Sequence, residues 1–119
     1  MTANAIDFQH LDQLAEVAVH IGLNIQPGQD LVLTGPVAAL PLVRRVAAAA
    51  YRAGAGLVTP VLGDEEITLA RYRYAADASF DRAPGWLYQG MASAFAEGAA
   101  RIAIEGDAPM MLADQDPAK

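Results

Sequence analysis

Apolar residues fall at Leu11, Leu14, Ala15, Ala18 and Ile21, while Asp12, Gln13, Glu16 and His20 lie between them. Steps of three and four put the first set on one stripe, so the spacing predicts an amphipathic helix over residues 8–21. Gly22 is placed to end that helix in a left-handed conformation. Pro27-Gly28 then carries the signature of a type II turn, with proline at the second position and glycine at the third. Leu31-Val32-Leu33-Thr34 comes next as a continuous apolar run, which reads as a strand covered on both faces.

Gly35-Pro36 breaks that strand. A second helix is predicted from near Pro41, a residue tolerated in a first helical turn. Its apolar face is Leu42, Val43, Val46, Ala47, Ala50 and Tyr51, and Gly54 ends it. Residues 57–62 read as a second strand. Pro60 lacks a ladder donor and therefore places this strand at a sheet edge or makes it irregular there. A third helix is predicted over 65–75 and a fourth over 84–98, with Trp86, Leu87, Met91 and Phe95 as its core side. Residues 101–105 give a third strand. Gly106-Asp107-Ala108-Pro109 reads as a turn, and residues 110–114 as the start of another helix.

Strands alternating with helices predict an α/β fold. The expected form is a three-layer domain, Rossmann- or flavodoxin-like, with a small, mostly parallel sheet flanked by helices and right-handed crossovers. Residues 1–119 are enough for one domain. Three strands are few for such a sheet, so either an edge pairs with a missing segment or the domain is marginal.

Composition narrows the function classes. A hydrophobic share of 54% against 18% charged residues excludes a disordered chain. The net charge of −6, with no local cluster of Lys and Arg, argues against a nucleic-acid partner. There is no cysteine, so disulfides and thiolate metal sites are impossible. No secretory signal and no run of about 18 apolar residues is seen, so no membrane span and no membrane partner is expected.

Several motifs have ordinary explanations. Gly54-Ala55-Gly56 comes after a helix and precedes a strand, the reverse of the dinucleotide fingerprint, and reads as a helix end and turn. His10 and His20 are the only histidines, and ten residues put them about 80° out of alignment on a helix. Asp12, Glu16 and His20 do share a face and could bind a metal weakly. The plainer alternative is a solvated face, because metal sites need convergent, supported ligands. Ser79 and Ser93 are the only serines, and neither sits in a nucleophile elbow. Tyr74, Trp86 and Tyr88 form either an aromatic surface or, by their burial preference, core.

Asp64-Glu65-Glu66 is the best candidate for a cavity- or ligand-facing site. It lies after the second strand, at its carboxyl end, where open parallel sheets bind ligands. The competing explanation is an acidic helix start that favours the helix dipole, with Arg71 and Arg73 offsetting the charge. No catalytic or metal-binding residue is assigned.

Taken in order, several segments resemble the amino-terminal region of the thermophilic metallo-aminopeptidase family. They are Leu23-Asn24-Ile25-Gln26-Pro27-Gly28-Gln29, Pro41-Leu42-Val43-Arg44 with residues 50–55, Asp64-Glu65-Glu66 with Arg71-Tyr72-Arg73-Tyr74-Ala75, and Pro84-Gly85-Trp86-Leu87. The closing Gly106-Asp107-Ala108-Pro109 and Asp116-Pro117 are similar too, although Ala108 separates an aspartate and proline that adjoin in the family. The resemblance implies a cytoplasmic, homodimeric exopeptidase that removes amino-terminal residues from peptides with two divalent metals, zinc or cobalt. It also implies that the ligands lie in a carboxy-terminal catalytic domain absent from these 119 residues. The chain would then be a non-catalytic domain that shapes access to the active-site cavity, holds no cofactor itself and has the missing domain as partner. Two other readings stay open: a free-standing small-molecule or nucleotide-binding module, and a purely structural interaction domain.

Overall fold

The computed structural model describes residues 7–105. The turn and helix expected over 106–114 lie outside them. Helix α1 (Phe8–Val17) starts on Asp7, whose side chain accepts a hydrogen bond from the His10 backbone N–H at 3.1 Å. This satisfies one of the four donors a helix start leaves free. The helix then widens into a π-helical segment, Ala18–Leu23. Asn24, not Gly22, takes the left-handed conformation that ends it, with φ of 50°. The widening alters the phase of the apolar stripe. Leu11, Ala15 and Val19, four apart, form the buried row, while Ile21 is 77% exposed instead of buried. An ideal α-helix drifts along such a row, and a π turn takes up part of the drift.

Strand β1 (Leu31–Pro36), helix α2 (Leu40–Arg52) and strand β2 (Val58–Gly63) come next. A single 3₁₀ turn, Val37–Ala39, leads into α2, and Pro41 sits in the helix's first turn, where its missing N–H costs nothing. Helix α3 (Glu65–Tyr74), a 3₁₀ turn (Asp77–Asp81), helix α4 (Gly85–Ala96) and strand β3 (Ala100–Ala103) complete the order. The three strands are parallel and run β2-β1-β3, so Pro60 does lie on an edge strand.

The core lies on one face of the sheet. Leu31 and Leu33 of β1, with Val58 and Ile104, meet Leu11, Ala15 and Val19 from α1 and its extension and Leu42, Val43, Val46, Ala49 and Ala50 from α2. The alanines let the two helices and the sheet approach closely. Ion pairs join α1 to α2: Asp12 to Arg45 at 3.0 Å and Glu16 to Arg52 at 2.6 Å. The opposite face is covered differently. Val32 and Val61 look towards Trp86, Leu87 and Met91 of α4 across a cavity of about 310 Å³. Neither α3 nor α4 contains a buried residue, and Trp86, expected in the core, is 76% exposed. Two glycines and a run of small residues, Gly90 to Ala94 around Met91, leave α4 too thin to fill that cavity.

The amino ends of the strands are stitched together by the turn around Pro27. The Gln29 N–H donates to the Gln26 carbonyl, closing the turn, and Gly28 has the φ of 77° that its third position needs. From this turn Gly28 donates to the Gly54 carbonyl at 2.7 Å, and Asp30 Oδ1 accepts the Leu57 N–H at 3.0 Å. Gln29 Nε2 reaches the Gly98 carbonyl before β3 at 3.0 Å. A Cβ at Gly56 would lie 2.6 Å from both Asp30 Oδ1 and the Gly28 carbonyl oxygen, so only glycine fits there. Gly54, with φ of 104°, ends α2. These roles account for Gly54-Ala55-Gly56 as a helix end and a close backbone approach.

Candidate functional site

At the other end of the sheet the strands open into a cleft of about 540 Å³. Gly35, Pro36 and Gly63 form its floor where β1 and β2 stop, and Ile104 closes one side. Asp64, Glu65, Thr68, Leu69 and Tyr72 form a wall. Asp64 caps α3: its Oδ1 accepts the Glu66 N–H at 3.3 Å, and its carbonyl accepts the Thr68 N–H at 3.1 Å. The carboxylate of Asp64 is thus engaged at the helix start, while Glu65 stands beside it on the cleft wall. Glu66 is exposed and does not line the cleft.

Thr68, Leu69 and Tyr72 were not singled out by sequence. Their signal is present all the same, because 65, 68, 69 and 72 are the i, i+3, i+4, i+7 positions of one helix face. The charges of α3 hide it, since the stripe holds one carboxylate, one hydroxyl and one phenol among its four residues. Tyr72 also stacks on Phe80, with ring centroids 5.8 Å apart, and Arg71 lies over the same ring at 5.3 Å. Arg71 Nη2 donates to the Ser79 and Arg82 carbonyls at 2.7 and 3.1 Å, holding the turn after α3 in place. The arginine therefore supports backbone, and it makes no ion pair with Asp64, Glu65 or Glu66 among the described residues.

Chemically, the cleft offers acceptors and an apolar floor. It brings no histidine, and neither serine, to the carboxylates, and the Thr68 hydroxyl on its wall donates to the Asp64 carbonyl at 3.3 Å. The other constellation, Asp12, Glu16 and His20, is drawn into inter-helix ties. Asp12 faces Arg45, and Glu16 lies between Arg52 and His20, the latter at 2.9 Å. The Arg52 hydrogen bond, with its charge and that of His20 adding, holds the Glu16 carboxyl below its ordinary value of 4.5. Among the described residues, no group of three His, Asp or Glu side chains is placed to hold a metal ion. The donors among the described residues do not fit a metal centre. Tyr74, Trp86 and Tyr88 are surface residues, not core. No helix among the described residues is long and apolar enough to cross a membrane.

The fold and the cleft define an α/β domain of the kind that takes ligands beyond the carboxyl ends of a parallel sheet. Comparison with known proteins gives the family. The model of the thermophilic metalloprotease (M29) family matches residues 8–119. Aminopeptidase T of Thermus thermophilus is 45% identical over 111 residues, covering 93% of this chain and 27% of that protein. Aminopeptidase 2 of Geobacillus stearothermophilus is 38% identical over 109 residues, 92% of this chain and 26% of its own. The solved structure of wild-type AmpT from Thermus thermophilus superposes with a TM-score of 0.80 at 44% identity, covering 94% of this chain and 28% of that one. The chain belongs to the thermophilic metalloprotease (M29) family. It spans about a quarter of the length of the curated relatives it matches.

Proposed function

We propose that this chain is the amino-terminal, non-catalytic domain of a metal-dependent aminopeptidase, and that its cleft walls the cavity in which peptides lose their first residue. One observation carries the reading: the family model matches residues 8–119, yet these residues span only 27% of Aminopeptidase T. Composition supports it. Two histidines and no cysteine are a poor supply for a pair of hydrolytic metals. The rest of the parent polypeptide would bring those ligands, with zinc or cobalt as the metals, and would be this domain's partner. The parent is proposed as a cytoplasmic homodimer acting on peptides.

On this reading Asp64 and Glu65 give the cavity wall an acidic edge, and Leu69 and Ile104 give it an apolar one. The direct test is hydrolysis. The purified chain, supplied with zinc or cobalt, is expected to release no amino acid from an oligopeptide. Release that stops on adding a chelator would overturn the assignment.

A second reading, a free-standing module for a nucleotide or other small molecule, draws on the size of the same cleft. A volume of about 540 Å³ is within the range of ligand sites. A thermal-shift screen of nucleotides separates the two readings, because the walling domain predicts no rise in Tm with any of them.

A further inference from the structure

Trp86 is a shared wall between two cavities of opposite character. The first is the gap of about 310 Å³ under α4, between Val32 and Val61 of the sheet and Leu87 and Met91 of the helix. Apart from the Trp86 indole, Thr59 is the one residue with a polar side chain that lines it among the described residues. The second, of about 330 Å³, is bounded by Arg71, Ser79 and Arg82. No carboxylate lines either cavity among the described residues. Asp77 and Asp81 lie on the 3₁₀ turn next to the second cavity, but neither faces it.

The two guanidiniums are not neutralised. Among the described residues no ion pair includes Arg71 or Arg82. Arg71 is held through Nη2 by two carbonyls and lies over Phe80, which leaves its Nε and Nη1 without a partner there. A guanidinium fixed in advance gives up less freedom when it takes an anion. Arg82 is exposed, and only its backbone carbonyl is engaged. The Ser79 hydroxyl is buried without a partner, an orphaned group of the kind that calls for an explanation.

We propose that the two cavities are one binding site for a small carboxylate that carries an apolar chain. The carboxylate meets Arg71 and Arg82, and the chain passes Trp86 into the gap between α4 and the sheet. Charge selects the head, because the planar guanidinium fork matches a carboxylate. The gap selects the tail. Its volume is within the range of ligand sites, and a polar ring such as a nucleotide base would lose water there against a single hydroxyl. A medium-chain fatty acid and the carboxyl-terminal leucine of a peptide both have this chemistry. No residue of the site lines the cleft beyond the strand ends, so the site does not rest on the aminopeptidase reading.

Trp86 is the single tryptophan of the chain, so its fluorescence reports on the site itself. Titration of the 119-residue chain with octanoate is expected to change that emission saturably. Octanoate should bind about tenfold more tightly than hexanoate, since each buried methylene is worth up to about fourfold. Octylamine and 1-octanol keep the tail without the carboxylate and should bind about tenfold or more weakly than octanoate. Arg82→Gln removes a side chain that ties no element to another, so the variant stays folded and should lose about tenfold in octanoate affinity. A Cβ at Gly90 meets nothing within 4 Å, so Gly90→Leu keeps the helix, fills the gap and should erase the preference for octanoate over hexanoate. Circular dichroism and Tm check that both variants are folded. Acetyl-glycyl-leucine, compared with its carboxyl-terminal amide, separates the two sources. If the free acid outbinds octanoate, the occupant is a peptide end; if octanoate outbinds it, a fatty acid; both uphold the site. A flat titration with octanoate and with the peptide acid would overturn the proposal. So would equal binding of octylamine or 1-octanol, tighter binding of AMP than of octanoate, or unchanged octanoate affinity in folded Arg82→Gln.

Discussion

The two helix layers of this domain are unequal. On the α1–α2 side, rows of Leu, Val and Ala spaced four apart meet Leu31 and Leu33 and are themselves almost fully buried. On the α3–α4 side no helical residue is buried, and Ile67, Tyr72, Tyr74, Trp86 and Tyr88 face solvent. The first layer makes the domain fold. The second carries the cleft wall and the aromatic surface, which an isolated fold does not need. The core and the helical wall of the cleft thus sit on opposite sides of one small sheet.

The sharpest way to break this contrast is a pair of leucine truncations. Leu33→Ala empties a fully buried site between β1 and the α1–α2 layer and is expected to cost about 3 kcal/mol. Leu87→Ala, on the half-buried side of α4, is expected to cost less than about 1 kcal/mol. Chemical denaturation of both variants measures this directly. Equal losses would mean that α4 is part of the cooperative core.

A smaller effect is expected at the stitched amino edge. Gly56→Ala puts a methyl 2.6 Å from the Gly28 carbonyl oxygen, which is backbone and cannot swing aside. The turn must shift, at a cost of about 2 kcal/mol. Gly63→Ala at the carboxyl edge meets nothing within 4 Å and is expected to be nearly neutral. Thermal melts of the two variants compare the edge that builds the fold with the edge that lines the cleft.

Much of this was legible in the sequence. Pro60 announced an edge strand because a missing donor has one tolerable place in a sheet. Pro27-Gly28 announced its turn, and the alternation of elements announced a parallel sheet. Two residues misled for physical reasons. Ile21 matched an ideal helical stripe, but the π segment rotated it into solvent. Trp86 reads as core in any isolated helix, yet α4 stands off across a cavity. Burial depends on what a helix packs against, and periodicity does not encode the partner. In the candidate site, Asp64 and Glu65 were placed by the end of β2, whereas Thr68 and Tyr72 needed the helix to be docked beside the sheet before their shared face meant anything.

Next in size is the cap of α3. Asp64→Ala removes the acceptor for the Glu66 N–H and should weaken the helix by about 1 kcal/mol or less. Since α3 buries nothing, the loss is expected to be local. Amide exchange of Glu66 and Thr68 should rise while the global Tm stays nearly constant. A matching fall in Tm would show that α3 unfolds together with the core.

The smallest expected effect lies on the strong side, at the α1–α2 ion pair. Arg52 and His20 hold the Glu16 carboxyl below 4.5 in the folded chain. A carboxyl lowered on folding stabilises the native state at pH values above its unfolded value. That contribution fades as pH falls through 4.5 and is gone below the folded value. Glu16→Gln has no such group, so its stability should depend less on pH in that acidic window and match the parent most closely at its lower end. Both Arg52 and Glu16 are well exposed, so salt should shrink the difference further. Urea titrations at low and high salt, stepped in pH from 6 down to 3, measure it. A Glu16→Gln variant with the parent's full acid sensitivity would mean that the α1–α2 layer is held by its apolar rows alone.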